Sequence, residues 1–339
     1  MRVLYGVQAT GQGHISRARA LVEAFLKHPE VDVTWLFSGR PREQLFDMEP
    51  FGHFQHRRGL TFVTEAGRLR YRKTVLGNNP YRFIRDVMTL DLDPYDLVVT
   101  DYEPVTAWAA RWRRRPIIGI GHQYAFGPTT PKEGHSLVQR LVMERFAPVD
   151  RPVGLHWAAF ADNVLPPILD LPEIDHGAQQ DHVMVYLPFE DQDRVTAWLQ
   201  TFPEHRFRQY ASGITDTERA NVQRRRANIE GFKQDLARCR GVICNSGFEL
   251  ISECLQWRKP VLTRPLAGQM EQLSNGAALE HLGYATVMRQ IDDPLTRQWL
   301  TNPPPPPPLK FPDVAQRLAD WLANGATEPV DSLCGSLWS

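Results

Sequence analysis

The sequence predicts an α/β protein made of two doubly wound halves that face each other across a cleft. Short apolar runs alternate with amphipathic helical segments over residues 1–165 and again over residues 181–302. The intervening residues 166–180 are rich in proline and acidic side chains, as a domain linker is. A chain of 339 residues also exceeds the usual size of a single hydrophobic core. This alternation of strand and helix predicts parallel sheets with right-handed crossovers.

The elements of the first half follow from local patterns. Apolar runs of the buried-strand type occupy residues 2–8, 31–39, 95–104, 115–121 and 153–160. Apolar side chains recur at helical spacing over residues 16–27 and 105–112. Polar residues end or follow the first strands, namely Thr10, Ser38, Asp101 and His122. Because ligands bind at the carboxyl ends of parallel strands, we expect a site there.

The second half repeats the rhythm. Its predicted strands cover residues 181–189, 205–211, 240–247 and 260–266, and its predicted helices cover residues 192–202, 230–239, 248–259 and 272–283. Six prolines, residues 303–308, then form a spacer before an amphipathic helix in residues 309–339. We interpret the spacer as a rigid tether for that helix, with a proline-rich ligand for a partner as the alternative. The basic clusters 111–116 and 223–228 are predicted to be charges at helix ends.

Composition excludes several classes of function. Thirty-nine basic and 39 acidic residues give a formal charge of zero, so no global charge favours nucleic acid or an acidic membrane. Four cysteines without a CxxC pair indicate buried thiols rather than disulfides or a metal site. No stretch reaches the length of a membrane span, and the N-terminus leaves no room for a signal peptide, so we expect a cytoplasmic protein with at most peripheral membrane contact.

The most specific stretch is residues 244–283, "CNSGFELISECLQWRKPVLTRPLAGQMEQLSNGAALEHLG". Asn245, Ser246 and Gly247 form a small-residue turn between a strand and a helix, which lets backbone N–H groups approach a phosphate. Glu253 follows two helical turns later on the same side, where its carboxylate could accept hydrogen bonds from both hydroxyls of a ribose. The turn and this carboxylate together favour a nucleotide site over a solvated helix start.

An acid and an amide stand side by side after the next strand. Glu271 and Gln272 precede a predicted helix, and adjacent carboxylate and amide groups can grip several hydroxyls of a sugar. Either residue alone would be an ordinary helix start with a capping Glu. Combined with the preceding turn, the pair indicates a nucleotide-sugar site.

This stretch resembles the donor-binding half of GT-B glycosyltransferases, which have two Rossmann-like domains facing across a cleft. It is similar to the small-molecule UDP-glycosyltransferases and to the peptidoglycan-precursor N-acetylglucosaminyltransferase, and most similar to a bacterial and archaeal subgroup of that superfamily. The resemblance implies that Ser246 and Gly247 meet the diphosphate, Glu253 binds the ribose, and Glu271 with Gln272 holds the transferred sugar. It also implies a packing or phosphate-side role for Asn275.

The resemblance has two departures. Relatives carry a Gly/Ser-rich loop after the first strand of the second domain, whereas residues 186–191 here read "YLPFED". The histidine of the relatives' HxG turn is replaced by Cys244 and Asn245. Both departures weaken the expected grip on the diphosphate. GT-B enzymes generally need no metal. The sequence also contains no zinc, iron or Walker motif, so we expect no metal or cofactor.

A candidate catalytic pair lies in the first half. Gly11 and Gly13 bring the backbone close to the cleft, and His14 follows them in "GQGHISRARALVEAFL". If the strands at 2–8 and 95–104 are neighbours, His14 meets Asp101, which would orient the imidazole as a base. The segment "TDYEP" resembles the one that supplies the Asp of a His–Asp dyad in small-molecule glycosyltransferases, which implies inversion at the anomeric carbon. A structural or capping histidine is the alternative.

Other polar residues mark the acceptor side. His122 could touch the acceptor or be a hydrogen-bonded structural residue, and Glu103 is the fallback base. Residues 53–73 are rich in basic and aromatic side chains. Such a surface could bind an acceptor that carries phosphate or carboxylate, such as a lipid-linked glycan. The alternative is that the segment is a solvated face made of loops.

The sequence therefore predicts an inverting, metal-independent hexosyltransferase that moves a sugar from a nucleotide sugar, with UDP as the expected nucleotide, to a hydroxyl of a glycan, lipid-linked or small-molecule acceptor. Cell-envelope or surface glycan synthesis is the expected setting. One alternative is a nucleotide-sugar 2-epimerase, for which Asp101, Glu103 and Glu190 would supply carboxylates. The other is a catalytically silent sugar-nucleotide-binding or scaffold protein, which the altered 186–191 loop keeps open.

Overall fold

Two seven-stranded sheets dominate the computed structural model and confirm the predicted α/β architecture. The structure describes residues 1–61, 64, 65, 68, 69, 74, 77–134, 137–174 and 178–338. Part of the basic and aromatic segment 53–73 therefore lies outside the described residues. In both sheets the strand order is non-sequential, which is the mark of a doubly wound fold.

The first sheet belongs to the first half of the chain. Its strands are β1 Arg2–Gln8, β2 Asp32–Ser38, β3 Gln55–His56, β6 Leu97–Asp101, β7 Ile118–Gly121, β8 Arg151–Leu155 and β9 Val164–Leu165, while β4 Thr64–Glu65 and β5 Arg68–Leu69 form a separate antiparallel pair. The helices are α1 Gln12–Phe25, α2 Pro80–Thr89, α3 Pro104–Trp112 and α4 Leu137–Phe146. The order β3-β2-β1-β6-β7-β8-β9 is parallel throughout and places β1 beside β6.

The second sheet follows the same plan. Its strands are β10 Val183–Tyr186, β11 Phe207–Ala211, β12 Thr217–Arg219, β13 Val222–Arg226, β14 Gly241–Asn245, β15 Val261–Arg264 and β16 Thr286–Val287. The helices are α5 Gln192–Leu199, α6 Ile229–Arg238, α7 Phe248–Gln256, α8 Met270–Leu282, α9 Asp293–Thr301, α10 Val314–Ala323 and α11 Val330–Gly335. In the order β12-β13-β11-β10-β14-β15-β16, the β12–β13 pair is antiparallel and the other pairs are parallel.

Three local predictions were wrong. Helix α1 begins at Gln12 rather than at residue 16, because Gly11 adopts an extended N-cap conformation directly before it. The strand predicted over 153–160 ends at Leu155. Residues 223–228 do not end a helix, since most of them lie in β13 between β11 and β12, where Arg224 bonds to Asp193 at 2.8 Å.

The C-terminal helices return to the first half. His28 Nε2 lies 2.8 Å from Asp320 Oδ1 of α10, and Arg151 Nη1 donates to the Ala326 carbonyl at 2.7 Å. The proline run 303–308 therefore joins the second sheet to a helix that packs on α1, as a tether would.

The four cysteines are buried and unpaired, and burial raises the pKa of Cys239 to about 11 and that of Cys244 to about 12. In the described part of the chain, no helix is long and apolar enough to cross a membrane.

Candidate active site

The structure brings His14 and Asp101 together. Val7 of β1 is in register with Asp101 at the end of β6, and His14 lies in the first turn of α1, which follows β1. His14 Nδ1 is 2.8 Å from Asp101 Oδ1. The histidine side chain keeps 14% of its surface exposed, whereas Asp101 keeps 3%. Among the described residues, the hydrogen bonds of the His14 ring are made at Nδ1, and none includes Nε2.

A third member of the site, Arg17, was missed in the sequence. It donates to both carboxylate oxygens of Asp101, from Nε to Oδ2 at 3.0 Å and from Nη2 to Oδ1 at 2.7 Å. Its position three residues after His14 puts both side chains on one face of α1, which is the signal that could have found it. The carboxylate is thereby fixed in place by a bidentate pair.

Arg17 Nη2 also lies 2.7 Å from His14 Nδ1. A guanidinium N–H can only donate, so this contact needs a lone pair on Nδ1, whereas the contact to the Asp101 carboxylate at 2.8 Å needs a proton there. The two contacts therefore cannot both be hydrogen bonds at one time. With the proton on Nδ1, His14 donates to Asp101 and the lone pair is on Nε2.

Neighbouring charges favour the ionised form of Asp101, and the turn that follows it has an unusual backbone conformation. Burial acts to raise the pKa of its carboxyl group, but Arg17 and His14 outweigh burial, and the net pKa is lowered. The next residue, Tyr102, has φ 54°, in the left-handed region that non-glycine residues rarely adopt. Its hydroxyl donates to the Met143 carbonyl at 2.9 Å, which helps to hold the turn.

The same arginine joins the two halves. Arg17 Nη1 forms an ion pair with Glu249 of α7, and the exposed fraction of the arginine side chain is 2%. Gly13 permits this approach, because a Cβ at that position would collide with the Glu249 side chain. A continuous chain of contacts thus runs from His14 through Asp101 and Arg17 to the second half.

Glu103 does not lie at the rim of the site, where the sequence analysis placed it. The residue is fully buried and caps α3, accepting from the backbone N–H groups of Val105 at 2.8 Å and Thr106 at 2.6 Å. Ser38 Oγ donates to the same carboxylate at 2.5 Å. A carboxylate occupied in this way cannot reach an acceptor, so the structure contradicts the fallback-base prediction.

His122 and Asn275 contact each other across the junction between the halves. His122 Nε2 is 2.7 Å from Asn275 Oδ1, and Asn275 Nδ2 donates to the Ser246 carbonyl at 2.9 Å. The His122 ring stacks on Phe248 with centroids 4.0 Å apart. Both His122 and Asn275 have no exposed surface. This geometry favours the structural alternative for His122 and a packing role for Asn275.

Buried histidines predict a loss of stability in acid. Burial lowers the pKa of His122, of His156 and of His182, the last from 6.5 to about 4. At pH values between the folded and unfolded pKa, the unfolded chain binds more protons, so the free energy of unfolding decreases as pH falls. We expect the thermal unfolding midpoint to fall as pH decreases from 6.5 towards 4.

The measurement is a series of melting curves by circular dichroism at constant ionic strength. The drop should already be visible above about pH 5, before most carboxylates are protonated. A His182→Asn variant should show a smaller drop than the wild type. A midpoint that is constant over this range would contradict the prediction.

The small-residue turn lies where β14 meets α7. Gly247 is the N-cap of α7 and has no side chain to block the helix N-terminus. The Ser246 hydroxyl bonds to Thr263 Oγ1 at 2.9 Å rather than facing outward. Asn245 Nδ2 donates to the Arg264 carbonyl at 3.0 Å, while its buried Oδ1 has no partner among the described residues. Any phosphate contact at this turn would therefore come from backbone N–H groups.

Glu253 is paired within the protein. Its Oε1 forms a buried ion pair with Lys233 Nζ of α6, and both side chains are less than a tenth exposed. Burial raises the pKa of this carboxyl group, and Lys233 acts in the opposite direction. None of the hydrogen bonds of the described residues includes Oε2 of this carboxylate.

Glu271 and Gln272 begin α8 rather than preceding it, and their side chains diverge. Glu271 Oε2 accepts from Gln123 Nε2 at 3.0 Å, across the junction between the halves. Gln272 is buried and its Oε1 accepts from the Leu266 N–H at 3.0 Å. The side-chain oxygen of Gln123 is buried without a partner in the described structure. A sugar near Glu271 would thus have Gln123 as its neighbour.

The altered loop 186–191 is a tight turn stabilised by an ion pair. Glu190 forms an ion pair with Arg264 at the end of β15, and the Glu190 N–H donates to the Leu187 carbonyl at 3.1 Å. Arg40, which follows β2 in the first half, lies near Tyr186 at the end of β10. Arg40 Nη2 and Arg264 Nε are buried without partners among the described residues. Two guanidinium groups therefore stand at the strand ends near this loop.

No cluster of three or more His, Cys, Asp or Glu side chains in the described ranges is arranged to hold a metal ion.

Comparison with known proteins identifies relatives of the whole chain. The family model described as glycosyl transferase family 1 matches residues 1–304. No curated protein matches.

Solved structures share the fold at low identity. The glycosyltransferase SnogD from Streptomyces nogalater is 17% identical with a TM-score of 0.53, over 99% of this chain and 96% of that chain. MurG from Acinetobacter baumannii is 14% identical with a TM-score of 0.55, over 95% and 99% of the two chains. A calicheamicin glycosyltransferase is 15% identical with a TM-score of 0.55, over 99% and 93%. These likenesses confirm the predicted two-domain GT-B architecture.

Proposed function

Because the chain belongs to glycosyl transferase family 1 and is a glycosyltransferase of GT-B fold, we propose that it transfers a sugar from a nucleotide sugar to an acceptor hydroxyl with inversion at the anomeric carbon. The observation that carries the proposal is the contact between His14 Nδ1 and Asp101 Oδ1 at 2.8 Å. Because Nδ1 is bonded to Asp101, Nε2 is left as a base.

In the proposed reaction, the acceptor hydroxyl gives its proton to His14 Nε2 as its oxygen forms a bond to the anomeric carbon. The bond between that carbon and the diphosphate oxygen breaks, and the nucleoside diphosphate leaves with the electron pair. Attack from the side opposite the leaving group inverts the configuration. Asp101, held by Arg17, stabilises the imidazolium that forms.

The donor is proposed to bind at the second half. Glu253 Oε2 would accept from a ribose hydroxyl, and the backbone N–H groups of the first turn of α7, after the N-cap Gly247, would meet the diphosphate. Arg40, whose buried Nη2 lacks a partner in the described structure, would neutralise part of its charge. Arg264 is already paired with Glu190. Binding of the diphosphate by backbone N–H groups and Arg40 is compatible with a reaction without a metal ion. The nucleotide of the donor is proposed to be UDP.

Two observations favour transfer over 2-epimerisation. Glu103 is occupied as a buried helix cap and Glu190 is paired with Arg264, so neither carboxylate is positioned to act on a donor sugar. Asp101, the third carboxylate that an epimerase could use, is bonded to His14 and Arg17. A transferase mechanism uses these contacts as they stand.

A panel of nucleotide sugars followed by NMR tests the proposal. We expect slow hydrolysis of one donor without acceptor and formation of a single anomer of the product with acceptor. Epimerisation of the sugar without acceptor would establish the epimerase instead. Binding without turnover across donors and acceptors would favour the silent scaffold.

Glu253→Ala is expected to weaken binding of the donor nucleotide by roughly 1.5–3 kcal/mol, because a hydrogen bond to a charged group is lost. Isothermal titration calorimetry with the nucleoside diphosphate measures the change. Glu253→Gln keeps the side-chain shape and should lie between the alanine variant and wild type. Glu230→Ala, which removes an exposed carboxylate from α6, is the matched control. Wild-type affinity in Glu253→Ala would contradict the assignment.

A further inference from the structure

A polar cavity lies apart from the His14 site, between the edge strand β3 and helix α2. Its volume is about 330 Å³, at the lower end of the range for small-molecule sites. The described residues that line it are mainly basic: His56, Arg57, Arg58, Arg82, Arg85 and, as the exception in charge, Asp86.

The charges around this cavity are not balanced by the protein. Four guanidinium groups face one carboxylate, and Asp86 Oδ2 already accepts from the backbone N–H of Arg58 at 3.2 Å. None of the ion pairs of the described residues includes Arg57, Arg58, Arg82 or Arg85. Arg58 Nη1 is buried and has no partner in the part of the chain that the structure describes.

Such an arrangement costs folding free energy unless an anion is bound. Like charges that share a cavity repel one another, and a buried N–H group without a partner loses its hydrogen bond to water. A phosphate oxyanion would relieve both, because guanidinium groups bind its oxygens with two parallel hydrogen bonds. The cavity therefore has the chemistry of a phosphate site.

The lining segment runs over the carboxyl ends of the first two strands. The Gly39 N–H donates to the Arg58 carbonyl at 3.0 Å, and Gln8 Nε2 at the end of β1 donates to the Leu60 carbonyl at 3.0 Å. The His14 helix follows β1 at this same edge of the sheet. The cavity is thus on the first half, on the side where the acceptor hydroxyl must reach His14.

We propose that this cavity binds a phosphate or diphosphate group of the acceptor, so that the acceptor is a phosphorylated molecule. The phosphate site itself stands on the cavity and its arginines, whereas its assignment to the acceptor rests on the proposed function.

Arginine footprinting with inorganic pyrophosphate tests the site without turnover. Phenylglyoxal modifies accessible arginines, and Arg82 and Arg85 are exposed. At about ten times its dissociation constant, pyrophosphate should slow modification of these two about tenfold, as mass spectrometry of the peptides would show. Sodium chloride at equal ionic strength should not protect them. Equal rates with and without pyrophosphate, or equal protection of the exposed Arg111 and Arg194, would overturn the proposal.

A double variant connects the site to the acceptor. Arg82→Ala with Arg85→Ala should raise the KM for a phosphorylated acceptor about tenfold or more and leave donor affinity unchanged. Arg111→Ala with Arg194→Ala removes the same charge from exposed positions and should leave both unchanged. An unchanged KM in the first variant would overturn the acceptor assignment.

The phosphate bound in this cavity could also come from a lipid headgroup on a membrane surface, and the experiment must distinguish the two sources. Tyr81, Ile84 and Met88 are exposed along a neighbouring face of α2, so vesicles are a necessary arm of the experiment. Protection by phosphatidylglycerol vesicles but not by soluble pyrophosphate would reassign the site to a lipid headgroup and overturn the proposal. His14→Ala should keep the protection, so a protein that binds pyrophosphate here but transfers no sugar would refute the proposed function alone.

Discussion

Replacing His14 with alanine is expected to lower the rate of sugar transfer by about 10²–10⁴-fold, the usual contribution of a positioned general base. The reason is that Nε2 is proposed to take the acceptor proton, and Asp101 and Arg17, which are bonded to each other, are not free to take it instead. Initial rates with the donor found by the nucleotide-sugar panel measure the effect. Donor affinity should stay within a few-fold of wild type, because His14 makes none of the proposed donor contacts.

Two variants make the result specific to the base. Asp101→Asn removes the carboxylate that fixes the tautomer and should lower the rate while leaving His14 in place. His28→Ala removes a histidine beyond the end of α1 that bonds to Asp320, and should leave the rate unchanged. Transfer at the wild-type rate by His14→Ala would exclude His14 as the base and return it to a structural or capping role.

Replacing Arg17 with alanine is expected to cost roughly 3–5 kcal/mol in the free energy of unfolding, as when one partner of a buried ion pair is removed. Arg17 has 2% of its side chain exposed and contacts both Asp101 and Glu249. Its loss would leave the Asp101 carboxylate, 3% exposed, without its strongest partner. Urea unfolding followed by fluorescence or circular dichroism measures the change.

The control is an arginine in an exposed pair. Arg2 lies 3.9 Å from Asp32 with both side chains more than half exposed, so Arg2→Ala should cost less than about 1 kcal/mol. Glu249→Gln separates the two functions of Arg17, since it removes the contact to the second half and leaves the contact to Asp101. Equal stability of Arg17→Ala and Arg2→Ala would show that the buried network contributes nothing to the fold.

Periodicity predicted most of the fold. Strands β1, β2 and β11 match their predicted positions within a residue or two, since a buried parallel strand needs a continuous apolar run that few other structures tolerate. Periodicity failed where pairing or capping decided the conformation. The arginine-rich β13 was read as a helix end, because its strand conformation depends on pairing with β11 and β12 rather than on apolar residues of its own.

For the candidate site too, some features followed from the sequence and others depended on tertiary contacts. The sequence alone determined the fold class, the residue types that follow the strands, and His14 and Asp101 as a pair, because neighbouring parallel strands bring their carboxyl ends to one edge. Tertiary packing specified which polar groups meet across the two halves: Arg17 with Glu249, His122 with Asn275, and Gln123 with Glu271. It also decided that Glu103 is a buried cap. Such contacts join residues about 150 positions or more apart, or depend on burial, and no local pattern of side chains specifies either.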